Sequence, residues 1–197
     1  MPVIGRMRTP LSLLLAALLM CAAPVCITRG QSPESGEIPI NTPYVTSPPQ
    51  IVDAMLELAG VKNNDVVYDL GCGDGRIVIS AAKKYGAHGV GIDINADRIE
   101  EARENAHAAG VDGQVVFETK DLFESDIHDA TVVALYLLPE VNMRLRPRLL
   151  NELRPGTRVV THSFAMGDWA PDKEIVVDGD HIYLWTIPER RTARNNQ

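Results

Sequence analysis

From residue 44 to residue 188 the apolar positions of this 197-residue chain fall into short runs separated by amphipathic stretches. Ile51, Met55, Leu58 and Ala59 recur at helical spacing and stop at Gly60. That predicts a first helix with Ser47 as its N-cap, Pro48 in the first helical position and Gln50 completing a capping box. A strand at 66–70 follows, then a helix at 76–85 closed by Gly86, a strand at 89–94 and a helix at 97–109 ended by Gly110. A third strand is expected at 114–118. The unbroken apolar run at 131–138 reads as a central strand covered on both faces. Val141, Leu145, Leu149 and Leu153 then mark one side of a helix kinked near Pro147, and a fifth strand occupies 158–164. Two last strands, 174–177 and 181–187, are joined by Asp178-Gly179, a strong hairpin signal. The alternation specifies an α/β fold with a mostly parallel sheet that finishes in an antiparallel hairpin.

Residues 1–30 stand outside this pattern. Arg6 and Arg8 precede a run of small and apolar residues at 11–23, with no acid in the first thirty residues. This is the pattern of a secretory signal peptide, or of a membrane anchor at the short limit for a spanning helix. The expected location is therefore exported or membrane-anchored: the periplasmic side in a bacterium, an organelle in a eukaryote. Residues 31–43, rich in Pro, Ser, Gly and Glu, read as a linker; 44–188 form the folded domain and 189–197 a polar, flexible tail. Formal net charge is −7, but with Arg6, Arg8 and Arg29 set aside the remainder carries 16 of the 19 basic residues against all 26 acids, a net −10. Such an acidic body argues against nucleic acid as a partner and leaves room for a cationic one, a lysine side chain included. Of the three cysteines, Cys21 and Cys26 lie in the leader, so the body, with Cys72 alone, holds no internal disulfide. No His, Cys or acid cluster has metal-ligand spacing.

The candidate chemistry begins at residues 66–76, V-V-Y-D-L-G-C-G-D-G-R. A strand, a glycine turn and a helix form a βα unit whose backbone can press against a nucleotide-like ligand. The dinucleotide fingerprint G-x-G-x-x-G is missed by one residue: Gly75 comes early and Arg76 stands in its place. Cys72 sits inside the turn with no partner base in sequence, as a small residue packed behind the loop. Asp93, 22 positions after Gly71, ends the second strand where an acid bonds ribose hydroxyls, with Ile94 beside it. A carboxylate accepts two hydroxyl protons at once; the competing role is a cap for the next helix. Ligands of open α/β sheets lie beyond the carboxyl ends of the strands, so residues 136–140 lead as the place for the group acted upon.

A shorter G-x-G-x-G preceded by an acid, Asp69-Leu70-Gly71-Cys72-Gly73-Asp74-Gly75, resembles motif I of the class I S-adenosylmethionine (SAM)-dependent methyltransferases. The terminal hairpin resembles their topology, whereas a dinucleotide-binding fold would continue with helices. Pro43-Tyr44-Val45-Thr46-Ser47-Pro48, the motif running into Arg76-Ile77, Leu138-Pro139, and Phe164 with Trp169-Ala170-Pro171-Asp172 resemble a narrower family. It comprises the mitochondrial lysine methyltransferases acting on the adenine nucleotide translocase and the ATP synthase c-subunit, with their bacterial relatives. The resemblance implies a Rossmann-like, seven-stranded class I sheet, SAM as cofactor, and N-methylation of protein lysine by direct in-line transfer. Asp69, Gly71, Cys72, Gly73, Gly75, Asp93 and Ile94 would hold the cofactor. Asp121 would meet the adenine amino group with Leu122 on the ring, and Tyr44 and Thr46 would cover the cleft. Tyr136, Glu140 and His162, polar groups near strand ends, are the candidates to orient the amine or relay its proton. Three other readings stay open: the same fold acting on a small molecule or lipid, a SAM-binding domain without catalysis, and a nicotinamide-dependent oxidoreductase, which Arg76 and the hairpin disfavour.

Overall fold

A computed structural model describes residues 45–189; the leader, the linker, Tyr44 and all of the tail except Glu189 lie outside them. The described residues form seven strands, β1 (Val66–Leu70), β2 (His88–Asp93), β3 (Val115–Thr119), β4 (Val132–Leu135), β5 (Arg158–His162), β6 (Lys173–Val177) and β7 (Asp180–Thr186). Four helices accompany them: α1 (Pro49–Leu58), α2 (Arg76–Tyr85), α3 (Ala96–Ala109) and α4 (Pro139–Glu152). One sheet contains all the strands in the order β3-β2-β1-β4-β5-β7-β6. Every pairing from β3 across to β5 is parallel, and β7 alone runs against its neighbours. Asp178 and Gly179, both at positive φ, turn the hairpin, as the two-residue turn requires.

The chain leaves β1 for β2 and β3 on one side and returns through β4 and β5 on the other. The crevice beyond the carboxyl ends of β1 and β4 is thus the place where the winding reverses and a ligand fits. Helices α1, α2 and α3 cover one face of the sheet, burying Ile51, Met55, Val78, Ala81, Ile99 and Phe117. The other face carries α4, whose Leu145, Leu149 and Leu153 pack on Leu70, Val133, Leu135 and Trp185. Trp169 completes that side: its carbonyl accepts from Trp185 Nε1 at 2.8 Å. At the opposite end of the strands Asp65, nearly buried, pairs with Arg158 and accepts from Thr131 Oγ1 at 2.7 Å. Burial alone would raise its pKa, but the bonds from Thr131 and Lys62 and the Arg158 charge together hold it below the usual carboxylate range. This network joins the starts of β1, β4 and β5.

Two expectations are corrected. The first helix starts at Pro49, not Pro48, and Ser47 does not cap it; Pro48 occupies the N-cap at φ −57°, ψ 151° without a side-chain bond. The cause is the second proline, whose ring bars the preceding residue from helical geometry. The apolar run at 131–138 yields a strand only to Leu135, because β1, paired with it as far as Asp69 against Ala134, turns away at its glycines. Residues 136–138 are released from the sheet into the crevice rim.

Gly91 leaves room for the Phe117 ring of β3 and for the thiol of the glycine turn. A Cβ there would lie 2.5 Å from the Phe117 ring and 2.9 Å from Cys72 Sγ. Gly91→Ala is expected to cost about 2 kcal/mol in urea unfolding, and to weaken ligand binding at the glycine turn, because Cys72 belongs to that turn.

Candidate active site

The turn after β1 is sewn onto the end of β2. Gly71 N–H and Cys72 N–H donate to the Ile92 carbonyl at 2.7 and 3.0 Å, and Gly75 N–H closes the turn on the Cys72 carbonyl. Gly71, Gly73 and Gly75 have φ of 87°, 52° and 77°, a region that L side chains avoid. At Gly71 a Cβ would also run into Leu137 at 2.8 Å, which places the glycine turn directly against the loop that leaves β4.

Asp93 clamps this turn. Its Oδ2 accepts from Gly73 N–H at 3.0 Å and its Oδ1 from Asn95 N–H at 2.9 Å. It is not the cap of α3; Asn95 performs that task, its side chain accepting from Asp97 and Arg98 N–H. Each Asp93 oxygen keeps acceptor capacity, and the carboxylate is half-buried, so it can take hydroxyl protons from a ligand lying over the turn. Ile94, 64% exposed, offers an apolar surface beside it. Asp121 lies two residues past β3, with Oδ1 accepting from Phe123 N–H at 2.8 Å. Leu122, half-buried, packs against the core of the α4 face.

Asp69 lies under the turn, 2% exposed. Burial, reinforced by the Asp93 and Asp74 carboxylates, pushes it up to about 8 from 3.8, so it holds a proton at neutral pH. Burial, with Asp69 and Asp93 beside it, also holds the Cys72 thiol above its usual range, which disfavours the thiolate form. Cys72 is buried behind the turn, 5% exposed. Arg76 grips Asp74 through Nε and Nη2 at 2.9 and 2.5 Å and donates from Nη1 to the Ser47 carbonyl at 2.8 Å.

Ser47 is the residue that sequence reasoning misplaced. Its Oγ lies 2.8 Å from Nδ1 of His162, at the end of β5, and both side chains are buried. Burial lowers the His162 pKa despite Asp180, so the ring is neutral. Asp180 Oδ1 stands 3.5 Å from Nε2, beyond a formed hydrogen bond; the ring and the Ser47 hydroxyl share one hydrogen bond through Nδ1. Tyr136 stacks on His162 with ring centroids 4.0 Å apart. Thus Tyr136 and His162 are brought together, while Glu140 projects as an exposed acid from the first turn of α4. Thr46 is half-buried just ahead of Ser47. Asn142 also escaped notice: fully buried in α4, it donates from Nδ2 to the Phe164 carbonyl at 3.3 Å. Its trace in the sequence is one polar residue at position 142 on the stripe of Leu145 and Leu149.

Two surface grooves, about 420 Å³ between α1 and β6 and about 300 Å³ between α3 and β3, include none of these residues. Among the described residues no group of three or more His, Cys, Asp or Glu is placed to hold a metal ion.

The ANTKMT methyltransferase domain family matches residues 69–173, from the buried Asp69 to the first residue of β6. A Saccharolobus islandicus protein named a protein-lysine N-methyltransferase is 46% identical over 156 residues, 77% of this chain and 97% of that protein. The adenine nucleotide translocase lysine N-methyltransferase of Mus musculus is 30% identical over 148 residues, 75% of this chain and 64% of that longer protein. Among solved structures, a Salinibacter ruber protein described as an RNA methyltransferase, in complex with S-adenosyl-L-homocysteine, superposes with a TM-score of 0.74. It has 56% identity over 78% of this chain and 100% of that one. By its sheet order, its acid-led glycine turn and these matches, the chain belongs to the ANTKMT methyltransferase domain family.

Proposed function

We propose that the protein is a SAM-dependent N-methyltransferase of protein lysine. The observation that carries this reading is the match to the archaeal protein-lysine N-methyltransferase over 97% of that protein, by a chain whose crevice residues suit the cofactor. Asp93 would take the ribose hydroxyls, the backbone of Gly71–Gly73 would lie under the nucleoside, and Ile94 and Asp121 would flank the adenine. With adenine near β3 and ribose at β2, the residues that would line the methionine part are those at the ends of β1 and β4, Asp69, Tyr136 and Leu137. The cofactor supplies a sulfonium methyl group open to in-line displacement. The chain's part is alignment in a dry cleft. A lysine ammonium, pKa ~10.4, first releases a proton to water, helped by desolvation at the apolar rim. The amine nitrogen then bonds to the methyl carbon as the sulfur–carbon bond breaks onto sulfur, leaving a methylated ammonium and a neutral thioether.

The description of the Salinibacter protein raises RNA as acceptor. The net −10 outside the leader opposes a polyphosphate partner and favours a cationic one. Incubation of a cell lysate with radiolabelled SAM is expected to place label in protein, and on lysine after hydrolysis. Label confined to RNA or to organic extracts would overturn the lysine reading. Asp93→Ala is expected to bind S-adenosylhomocysteine at least ~10-fold more weakly by calorimetry, equivalent to ~1.4 kcal/mol.

We assign export or membrane anchoring to residues 1–30, which lie outside the described residues; among the described residues no helix is long and apolar enough to cross a membrane. The support is the basic start and the apolar run at 11–23. Fractionation of cells producing the full chain is expected to find it processed in the exported fraction or held with membranes. The chain begun at residue 31 should remain in the cytosolic fraction.

Asp69 generates a pH prediction. Its folded pKa, about 8, stands above its ordinary 3.8, so its contribution to stability is complete below pH ~4 and is lost as pH rises through 8. Asp69→Asn, which cannot ionise, should gain stability relative to the wild type over that window in thermal melts. A cationic ligand lowers the Asp69 pKa, so SAM binding at pH 7 should release a proton, read as a dependence of the calorimetric heat on buffer ionisation enthalpy. Asp69→Asn should abolish that dependence.

A further inference from the structure

Two residues among those described, Ser163 and Asp178, hold positive φ without being glycine. Asp178 is accounted for by its hairpin. Ser163, at φ 64°, is the centre of a three-residue turn in which Phe164 N–H donates to the His162 carbonyl at 2.8 Å. Such backbone costs on the order of 1 kcal/mol or more and persists where its surroundings over-determine it. They do so here: Ser163 N–H donates to the His181 carbonyl at 2.7 Å, and the Phe164 carbonyl accepts from Thr161 Oγ1 at 2.7 Å and from the buried Asn142. The effect of this turn is to swing Phe164 out of line with β5 and set its ring near-parallel to Tyr136, 15° between planes and 6.5 Å between centroids. Neither ring is spent in the core; both stay half-buried.

Their place gives the pair its meaning. Tyr136 directly follows β4 and Phe164 lies two residues past β5, neighbouring strands at the carboxyl edge of the sheet. Tyr136 adjoins Leu137, which touches the glycine turn. Behind Tyr136 stands His162, kept neutral and fixed by Ser47, so no positive charge from the ring competes with a cation in front. Aromatic faces attract ammonium groups, methylated ones above all, within about 6 Å of a ring centroid.

We propose that Tyr136 and Phe164 are the acceptor-recognition wall of the cleft, binding the lysine ammonium and its methylated forms by cation–π contact. Ser163, Asn142 and His162 act as positioning residues. This rests on the lysine methyltransferase reading of the same cleft. It adds two things: a residue, Phe164, that holds the acceptor, and a reason for the strained turn.

The test uses the full chain with choline and its neutral isostere 3,3-dimethyl-1-butanol, followed by aromatic ¹H–¹³C NMR. Choline is expected to shift the Tyr136 and Phe164 signals saturably, at concentrations at least tenfold below those at which the alcohol acts. Phe164→Ala and Phe164→Leu should each lose tenfold or more in choline affinity, and Phe164→Tyr should keep it. S-adenosylhomocysteine affinity should stay within twofold in all three, which certifies fold and cofactor site. With a 20-residue poly-lysine acceptor, Phe164→Ala should raise KM about tenfold while kcat changes less than threefold. Equal response to choline and alcohol, or a wild-type-like Phe164→Leu, would overturn the proposal, since either reduces the wall to plain apolar packing. A wild-type protein that binds choline at these rings yet methylates no lysine upholds the wall and sinks the methyltransferase reading. Lysine methylation by Phe164→Ala at unchanged KM sinks the wall alone.

Discussion

The fastening of the glycine turn to the end of β2 is the constraint on which the rest depends. Five hydrogen-bonding groups meet there: the N–H groups of Gly71, Cys72 and Gly73, shared between the Ile92 carbonyl and the Asp93 carboxylate. For the turn to lie this low, the thiol of Cys72 must sink beneath it. For the thiol to sink, β2 must present no side chain at residue 91. Phe117 of β3 then fills the space that Gly91 leaves, so the third strand is drawn into the same packing unit. One backbone requirement thus propagates through three neighbouring strands. It also turns Asp93 so that its carboxylate oxygens serve the turn and stay available to a ligand above it.

This arrangement concentrates negative charge. The Asp93 and Asp74 carboxylates add to burial in raising the pKa of Asp69, and Asp69 and Asp93 do the same for Cys72, while Arg76 pairs with Asp74. A site so built tolerates a neutral ligand and gains from a positive one, since a cation relieves repulsion that the fold otherwise absorbs by keeping Asp69 protonated. The opposite end of the sheet is handled differently. There Asp65 is ionised and its buried charge is answered by Arg158 and Thr131. The contrast separates a structural carboxylate, satisfied from within the chain, from a carboxylate whose satisfaction is left for what binds.

Much of this could be read from the sequence because its signals are local. Helix α2 runs from Arg76 to Tyr85 as expected, since a glycine turn and Gly86 punctuate it on both sides, and the Asp178-Gly179 hairpin announces itself by residue type. Where the reading failed, the decisive partner was distant. Ser47 has the composition of a helix cap, but Pro49 moves the helix start by one residue and His162, 115 positions away, takes the hydroxyl. The length of β4 was misjudged because an apolar run does not reveal where its neighbour stops pairing. Phe164 and Tyr136 were visible as residues, but the turn that makes them face each other has at its centre a serine, a type that gives no warning of positive φ.

The Ser47 contacts also change what counts as the catalytic domain. By secondary structure the sheet begins at β1, and the segment just before α1 has no helix or strand of its own. Yet the Ser47 carbonyl receives Arg76 and its hydroxyl meets His162, so this short stretch is bonded to the cofactor turn on one side and to the acceptor wall on the other. Removing it would leave the Arg76 fork with Asp74 but without its second anchor. It would also strip the His162 Nδ1 of its hydrogen-bond partner inside a buried site, at a cost of about 1–3 kcal/mol for an unsatisfied polar atom. The crevice is therefore complete only when the chain ahead of the first helix is in place.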